Sequence, residues 1–182
     1  MEHKGWHSRG YLPHLDVPEL CQFITFRTYG SFVVEESEVL RAGMQGTSFE
    51  WDEVLDQSAR GQILKHHGAA EIVAETFAAG EKQGQYLLFS WAVMSNHVHL
   101  LLRPQSDLTV PQIVQGIKSV SSRKIKKLLG SKEPVWAVDY FDRYIRDENH
   151  FLATALYIER NPFRAGLGLG YPFVSRNYLD ME

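Results

Sequence analysis

Apolar and polar residues follow two kinds of repeat along this chain, one typical of β-strands and one typical of helices. Where apolar side chains alternate with polar ones, or form short β-branched and aromatic runs, we predict strands. The predicted strands are residues 20–28, 85–94, 97–103 and 140–146. Where apolar residues recur every three or four positions, we predict helices. The predicted helices are residues 36–41, 49–65, 69–82, 110–129 and 148–161.

The order of these elements predicts an α+β fold, an antiparallel sheet with helices packed mostly on one face. Ser95 and Asn96 separate two of the predicted strands, and such a tight polar connection is typical of a β-hairpin. The strand that follows them, residues 97–103, is expected to be central in the sheet.

The two ends of the chain differ from its middle. Residues 1–19 show no period and predict an extended arm. Pro162 is expected to end the last helix, because the residue before a proline avoids the helical region. Residues 163–182 are rich in glycine and predict a loop-rich tail. We expect a single domain over residues 1–182, a length sufficient for one hydrophobic core.

The composition narrows the class of function. The chain has 182 residues, 44% of them hydrophobic, one cysteine and a formal net charge of −3. The single cysteine, Cys21, excludes an internal disulfide framework and a Cys-based zinc cluster, and the net charge excludes a globally basic nucleic-acid binder. The first residues show no signal-peptide pattern, and no apolar run is long enough to cross a bilayer. We expect a cytoplasmic protein with no membrane partner.

Two histidines stand out in the most apolar part of the chain. His97 and His99 alternate with Val98 and Leu100, so on a strand both imidazoles point to the same face, about 6 to 7 Å apart. At that spacing both rings can turn onto one metal ion. The alternative is a pair of hydrogen-bonded histidines on a solvated sheet face. A metal ion would need further ligands from elsewhere in the chain or from the substrate.

The helix predicted at residues 148–161 carries the residues that we couple to these histidines. His150, Thr154, Tyr157 and Asn161 are spaced three or four apart and lie on one face. A phenol is a poor nucleophile unless its target is stabilised or its proton is removed. A divalent metal would polarise a phosphate as a Lewis acid, and attack by Tyr157 would then leave a covalent phosphotyrosine link. A tyrosine that only anchors the edge of the core is the alternative.

Three segments of the chain, in this order, resemble the REP-associated tyrosine transposases, which belong to the HUH single-strand nucleases. The segments are M-S-N-H-V-H-L-L-L (94–102), Y-F-D-R-Y-I-R-D-E-N-H-F (140–151) and L-Y-I-E-R-N-P-F-R-A-G (156–166). The opening G-W-H-S-R-G-Y-L-P-H-L-D (5–16) is similar to the start of one subgroup.

The resemblance implies a ferredoxin-like fold, with His97 and His99 as ligands of Mg²⁺ or Mn²⁺ and Tyr157 as the nucleophile. It also suggests that Asn161 completes the metal site through its amide oxygen. The implied substrate is single-stranded or hairpin DNA of the repetitive extragenic palindrome kind, cleaved and rejoined by a monomer or a homodimer.

Basic residues near these motifs are candidate contacts to a phosphate backbone. They are Lys118, Arg123, Lys124 and Lys127 on the helix at 110–129, and Arg143 and Arg146 in the second motif. Solvated helix faces and salt-bridged surface strands are the alternatives.

Three other functions compete with this interpretation. A histidine-triad nucleotide hydrolase would need a third histidine where the chain has Leu101. A small metallohydrolase would use His97, His99 and a carboxylate such as Glu148 or Glu159 to activate water. A domesticated hairpin-binding module would keep the fold and DNA recognition without mobility.

Overall fold

A computed structural model of the chain describes residues 5–8, 13–17, 19–31, 55–56, 58–105 and 107–175. In chain order its elements are β1 (Gly5–Ser8), β2 (Pro13–Asp16), β3 (Gln22–Arg27), α1 (His67–Lys82), β4 (Tyr86–Val93), β5 (His97–Pro104), α2 (Val110–Leu129), β6 (Phe141–Tyr144), α3 (Glu148–Arg164) and β7 (Val174–Ser175). None of the described helices is both long and apolar enough to cross a bilayer.

The predicted hairpin of β4 and β5 is confirmed and lies at the middle of the main sheet. The Met94 amide donates to the His97 carbonyl at 2.9 Å and closes the turn. β5 pairs antiparallel with β4 on one side and with β3 on the other, so the strand with the two histidines is central, as predicted.

The main sheet has five strands in the order β6-β3-β5-β4-β7, and every pairing is antiparallel. The segments from β3 to β6 run strand, helix, strand, strand, helix, strand, which is the split βαβ arrangement of the ferredoxin-like fold. The structure therefore confirms the predicted α+β, ferredoxin-like class.

The two faces of the sheet are covered by different helices. α1 and α2 pack on one face, where the core is formed by residues such as Ile24, Phe26, Val73, Phe77, Val98, Leu100, Leu102, Ile113 and Ile117. α3 packs on the opposite face over a smaller core, which contains Phe23, Phe89, Ala92, Met94, Leu101, Ala155 and Ile158. Because side chains alternate along β5, His97 and His99 lie on the α3 face, opposite to Val98 and Leu100.

The end of α3 differs from the prediction. Pro162 lies inside the helix, which continues to Arg164. Proline removes one backbone donor from the helix. The Ala165 amide donates to the Asn161 carbonyl, and the Leu167 amide donates to the Pro162 carbonyl, each at 2.9 Å, so the last turn is closed despite the proline.

The two ends of the chain also contain more strand than predicted. The expected extended arm at residues 1–19 instead contains an antiparallel hairpin of β1 and β2. The expected loop-rich tail at 163–182 begins with the last residues of α3 and then contributes β7, which pairs with Trp91 and Ala92 at the edge of the sheet. All three strands, β1, β2 and β7, are too short for an alternating pattern to stand out.

The helix predicted at residues 49–65 is wrong over its second half. Residues 58–62 are irregular, and Ile63–Lys65 form a single 3-10 turn. Gly61 has a φ of +63°, and a Cβ there would lie 2.7 Å from Thr28 Oγ1, so the backbone leaves the helical region at this point. The helix predicted at 36–41 lies outside the described residues.

A matched pair of glycine substitutions tests the packing of α1. A methyl group on Gly80 would collide with Tyr86, a fully buried residue whose Oη donates to the Phe77 carbonyl at 2.8 Å. Gly80→Ala should therefore lower the free energy of unfolding by about 1–3 kcal/mol. Gly116 of α2 has open space around it, so Gly116→Ala should raise the same quantity by up to about 1 kcal/mol. Urea denaturation measures both, and equal effects would contradict this packing.

Candidate metal and nucleophile site

The two histidines of β5 meet in a fully buried position beneath α3. His97 Nε2 lies 3.0 Å from His99 Nε2, and neither ring is exposed. Asn161 of α3 reaches the same point, with its side-chain amide nitrogen 2.9 Å from His99 Nε2. The fold thus brings together all three residues that the sequence suggested as metal ligands.

The side chain of Asn96 determines which nitrogen of His97 carries the proton. Its Nδ2 donates to the carbonyls of Leu55, Ser58 and Arg60 at 2.8, 3.3 and 3.4 Å. Because carbonyls only accept, the amide orientation is settled and Oδ1 faces His97 Nδ1 at 2.8 Å. His97 Nδ1 is therefore the protonated nitrogen and donates to Asn96, which leaves the Nε2 lone pair directed at the site.

His99 is held from two sides by residues of β3. Its Nδ1 lies 2.9 Å from Thr25 Oγ1, and the Phe23 ring stacks against the imidazole at a centroid distance of 5.5 Å. When Nδ1–H donates to the threonine hydroxyl, the Nε2 lone pair is available beside that of His97. The nitrogen and oxygen of a side-chain amide exchange places by a simple flip, so Asn161 can present its oxygen to the same point.

The spacing of these atoms fits a hard divalent cation. An octahedral ion with bonds of about 2.1 Å has neighbouring ligand atoms about 3.0 Å apart, close to the 3.0 Å and 2.9 Å separations of the three side chains. Among the described residues, no group of three or more His, Cys, Asp or Glu side chains is placed to hold a metal. Within the described part of the chain, a ligand set around His97 and His99 would be completed by the Asn161 amide and by oxygen atoms from solvent or substrate.

Burial keeps both imidazoles in the form that ligates metals. Desolvation lowers the pKa of His97 to about 3. Burial, with a smaller contribution from the neighbouring His97, holds the pKa of His99 well below its usual range. Both rings are therefore neutral at physiological pH, and neutral imidazole is the ligating form.

Tyr157 lies on α3 beside this pair, one turn before Asn161. Its ring is half-buried, with its centroid 5.8 Å from that of His99 and 6.2 Å from that of Phe23. The guanidinium carbon of Arg164 lies 5.9 Å from the ring centroid. This contact is a cation–π interaction between the guanidinium and the tyrosine ring.

Lys118 is not on the exposed basic face where the sequence suggested it. The residue is only 8% exposed, and Nζ donates to the carbonyls of Ala137, Val138 and Asp139 at 3.0, 3.1 and 2.9 Å. Burial lowers the pKa of this ammonium to about 8. With all three donors used inside the protein, Lys118 holds residues 137–139 and is not placed to contact DNA.

The remaining basic residues lie on two different sides of the sheet. Arg123, Lys124 and Lys127 are exposed on α2, so the sheet separates them from the histidines, which corrects the expectation that they lie near the metal motif. Arg143 of β6 is opposite Phe23 in the ladder and therefore lies on the α3 face with the candidate site. Arg146 is exposed just before α3.

Sequence reasoning missed several residues that shape the site. Asn96 lies in the predicted turn, and its place directly before the two histidines could have indicated a supporting role. Thr25 meets the site only through the pairing of β3 with β5, whereas Arg164 follows Tyr157 by seven residues on α3, a helical spacing that the sequence could have indicated. Asp56 lies on a separate segment, with Oδ1 3.9 Å from His97 Nε2, and no local pattern pointed to it.

The fold and site together define a class, a ferredoxin-like domain with two buried histidines on its central strand and a tyrosine on the helix that covers them. A sequence profile of the IS200-like transposases matches residues 50–161, more than half of the chain. The protein belongs to the IS200-like transposase family. No curated protein sequence matches the chain.

The solved structures similar to this chain include the following two. One is a REP-associated tyrosine transposase bound to a REP hairpin, with 15% identity and a TM-score of 0.59, matched over 88% of this chain and 79% of that one. The other is a transposase candidate from Deinococcus radiodurans R1, with 18% identity and a TM-score of 0.40, matched over 85% of this chain and 96% of that one. The first similarity supports the shared fold.

Acid should destabilise the protein through the buried histidine. The pKa of His97 is about 3 in the folded state against an ordinary 6.5, so between these values the unfolded chain binds a proton that the folded chain does not. The stability contributed by neutral His97 is present above pH 6.5 and is lost as the pH falls, by about 1 kcal/mol at pH 5.5. Urea unfolding at pH 7 and pH 5.5 should show a larger loss for the wild-type protein than for His97→Gln. Equal losses would contradict this assignment.

Proposed function

We propose that this protein is a metal-dependent, single-strand DNA endonuclease and strand transferase that acts through a covalent 5′-phosphotyrosine intermediate. The observation that carries the proposal is that helix α3 meets strand β5 at the two histidines. α3 presents Tyr157 beside His99 and, one turn later, places Asn161 2.9 Å from His99 Nε2. The nucleophile and one candidate ligand of the cation are thus held on one rigid helix, against the two histidines of β5.

Cleavage exchanges one phosphate ester for another. The Tyr157 oxygen forms a bond to the scissile phosphorus, the bond from phosphorus to the 3′-oxygen breaks, and the phenol proton passes through solvent to the leaving 3′-oxygen. The 5′ end is then attached to the tyrosine, and a free 3′-hydroxyl remains. Because no high-energy bond is lost, attack by a 3′-hydroxyl reverses the exchange and rejoins a strand.

The chain's own residues prepare this exchange. Asn96 and Thr25 orient the two imidazoles, and α3 aligns the phenol with them. Arg164 places a positive charge 5.9 Å from the tyrosine ring, where it would attract the scissile phosphate. His97, His99 and Asn161 would hold Mg²⁺ or Mn²⁺, which supplies a positive charge that polarises the scissile phosphate.

The proposed substrate is single-stranded or hairpin DNA, as in the solved relative that was bound to a REP hairpin. Arg143 and Arg146 are proposed to hold the strand at the α3 face. Arg123, Lys124 and Lys127 project from the other side of the sheet, so they would contact only a DNA long enough to pass around it, such as a hairpin stem. We propose a monomer or a homodimer as the active unit.

An adduct assay tests the nucleophile. The protein is incubated with Mn²⁺ and end-labelled hairpin and single-stranded DNA pools, and the products are separated on a denaturing gel. Tyr157→Phe should abolish the covalent adduct. His97→Ala should reduce it more than about 100-fold, since even outer-shell partners of a metal contribute 10–100-fold. Tyr144→Phe is the matched control, because Tyr144 lies opposite Gln22 on the other face of the sheet, and it should retain the adduct.

The same gel separates the competing functions. Cleavage without an adduct that persists in Tyr157→Phe would overturn the tyrosine mechanism in favour of a metallohydrolase that activates water. Hairpin binding on a native gel, without cleavage by any variant on the denaturing gel, would favour a domesticated binding module.

The two basic regions should differ in their effect on DNA affinity. Arg143→Gln should weaken the binding of a short single strand and reduce the slope of log affinity against log salt by about 0.7. Arg123→Gln should leave short single strands unaffected and weaken only hairpin binding. Fluorescence anisotropy at several salt concentrations measures both. An effect of Arg123→Gln on the short strand would contradict the proposed path of the DNA.

A further inference from the structure

We propose that Asp56 supplies the negative charge for the divalent cation held beside His97, acting from its outer coordination sphere. This inference rests on the proposed function, because it concerns the same cation. Asp56 Oδ1 lies 3.9 Å from His97 Nε2, the nitrogen that faces the site, and the aspartate side chain is 19% exposed. The carboxylate therefore stands at the edge of the site with access to solvent.

Asp56 is placed there by contacts from the turn between β4 and β5. The preceding residue, Leu55, is buried, and its carbonyl accepts a 2.8 Å hydrogen bond from Asn96 Nδ2. Ser58 Oγ donates to the Ser31 carbonyl at 2.7 Å, which holds the segment on its other side. The position of the carboxylate is thus fixed by its neighbours in the chain.

The chemistry of the other donors explains why a carboxylate is needed. Two neutral imidazoles and one amide carry no net charge, whereas Mg²⁺ and Mn²⁺ prefer hard oxygen ligands with negative charge. The 3.9 Å separation matches neither the spacing of about 3.0 Å expected between neighbouring ligands of an octahedral ion nor the spacing of about 4.2 Å expected between opposite ones. Asp56 is accordingly placed to hydrogen-bond the cation's hydration shell, a common arrangement for Mg²⁺, which keeps several waters.

Asn96 connects the segment that carries Asp56 to His97. One side chain accepts from His97 Nδ1 through Oδ1 and donates to the Leu55 carbonyl through Nδ2. The imidazole tautomer and the position of Asp56 therefore depend on the same buried amide. Disrupting Asn96 should disturb both parts of the site together.

Isothermal titration of the metal-free protein with MnCl₂ tests this role without any DNA. Asp56→Asn keeps the size of the side chain and removes its charge, and it should weaken Mn²⁺ binding 10–100-fold, as outer-shell partners generally do. Titration with NiCl₂ should show a smaller loss, because Ni²⁺ depends more on imidazole ligands. Asp107→Asn makes the same charge change at an exposed position before α2 and should bind both metals like the wild-type protein. The melting temperature without metal shows whether each variant is folded.

Three outcomes separate this inference from the proposed function. If His97→Ala abolishes Mn²⁺ binding while Asp56→Asn binds like the wild-type protein, the role of Asp56 is wrong and the proposed metal site stands. If the wild-type protein itself does not bind Mn²⁺, both fail. If Asp56→Asn does not fold, Asp56→Glu decides, because a retained charge should preserve the Mn²⁺ affinity of the wild-type protein, and a loss of that affinity would overturn the inference.

Discussion

The site depends on one buried amide. The donors of Asn96 are used by backbone carbonyls of residues 55–60, so its oxygen must face His97 and accept from Nδ1. That single constraint fixes the imidazole tautomer and attaches the segment of Asp56 to the central hairpin. A leucine or serine at this position would leave the lone pair of His97 Nε2 without a fixed direction and would leave buried carbonyls without donors.

The sheet divides the molecule into a structural side and a candidate catalytic side. Along β5, Val98 and Leu100 enter the larger core under α1 and α2, whereas His97 and His99 face α3. The larger core carries the burial that stabilises the fold, so the smaller α3 face can accommodate polar rings at its centre. Tyr157 and Asn161 reach those rings because they lie one turn apart on the covering helix.

The sequence predicted the parts of this arrangement that depend on local periodicity. The hairpin of β4 and β5 and the full extent of α2 were predictable because the apolar repeat is strong and Thr109 forms a capping box with Gln112 at the start of the helix. The shared face of His97 and His99 followed from strand alternation alone.

The sequence predictions that were wrong concern features that depend on contacts between distant segments. Lys118 follows Ile117 at the margin of the apolar stripe of α2, and only the carbonyls of residues 137–139 show that its ammonium is inside. The Gly61 turn depends on packing against Thr28, and Pro162 is tolerated because the last turn of α3 closes around it. Pattern reasoning has no access to such partners, so it also missed Asp56.

The identity of the modified residue tests the central claim most directly. After reaction with DNA and Mn²⁺, nuclease and trypsin digestion followed by mass spectrometry should find a nucleotide attached through phosphate to the peptide of residues 147–160, in which Tyr157 is the only tyrosine. Fragmentation should place the added mass on Tyr157. An adduct on any other peptide, or DNA cleavage with every peptide unmodified, would contradict the assignment of Tyr157 as the nucleophile.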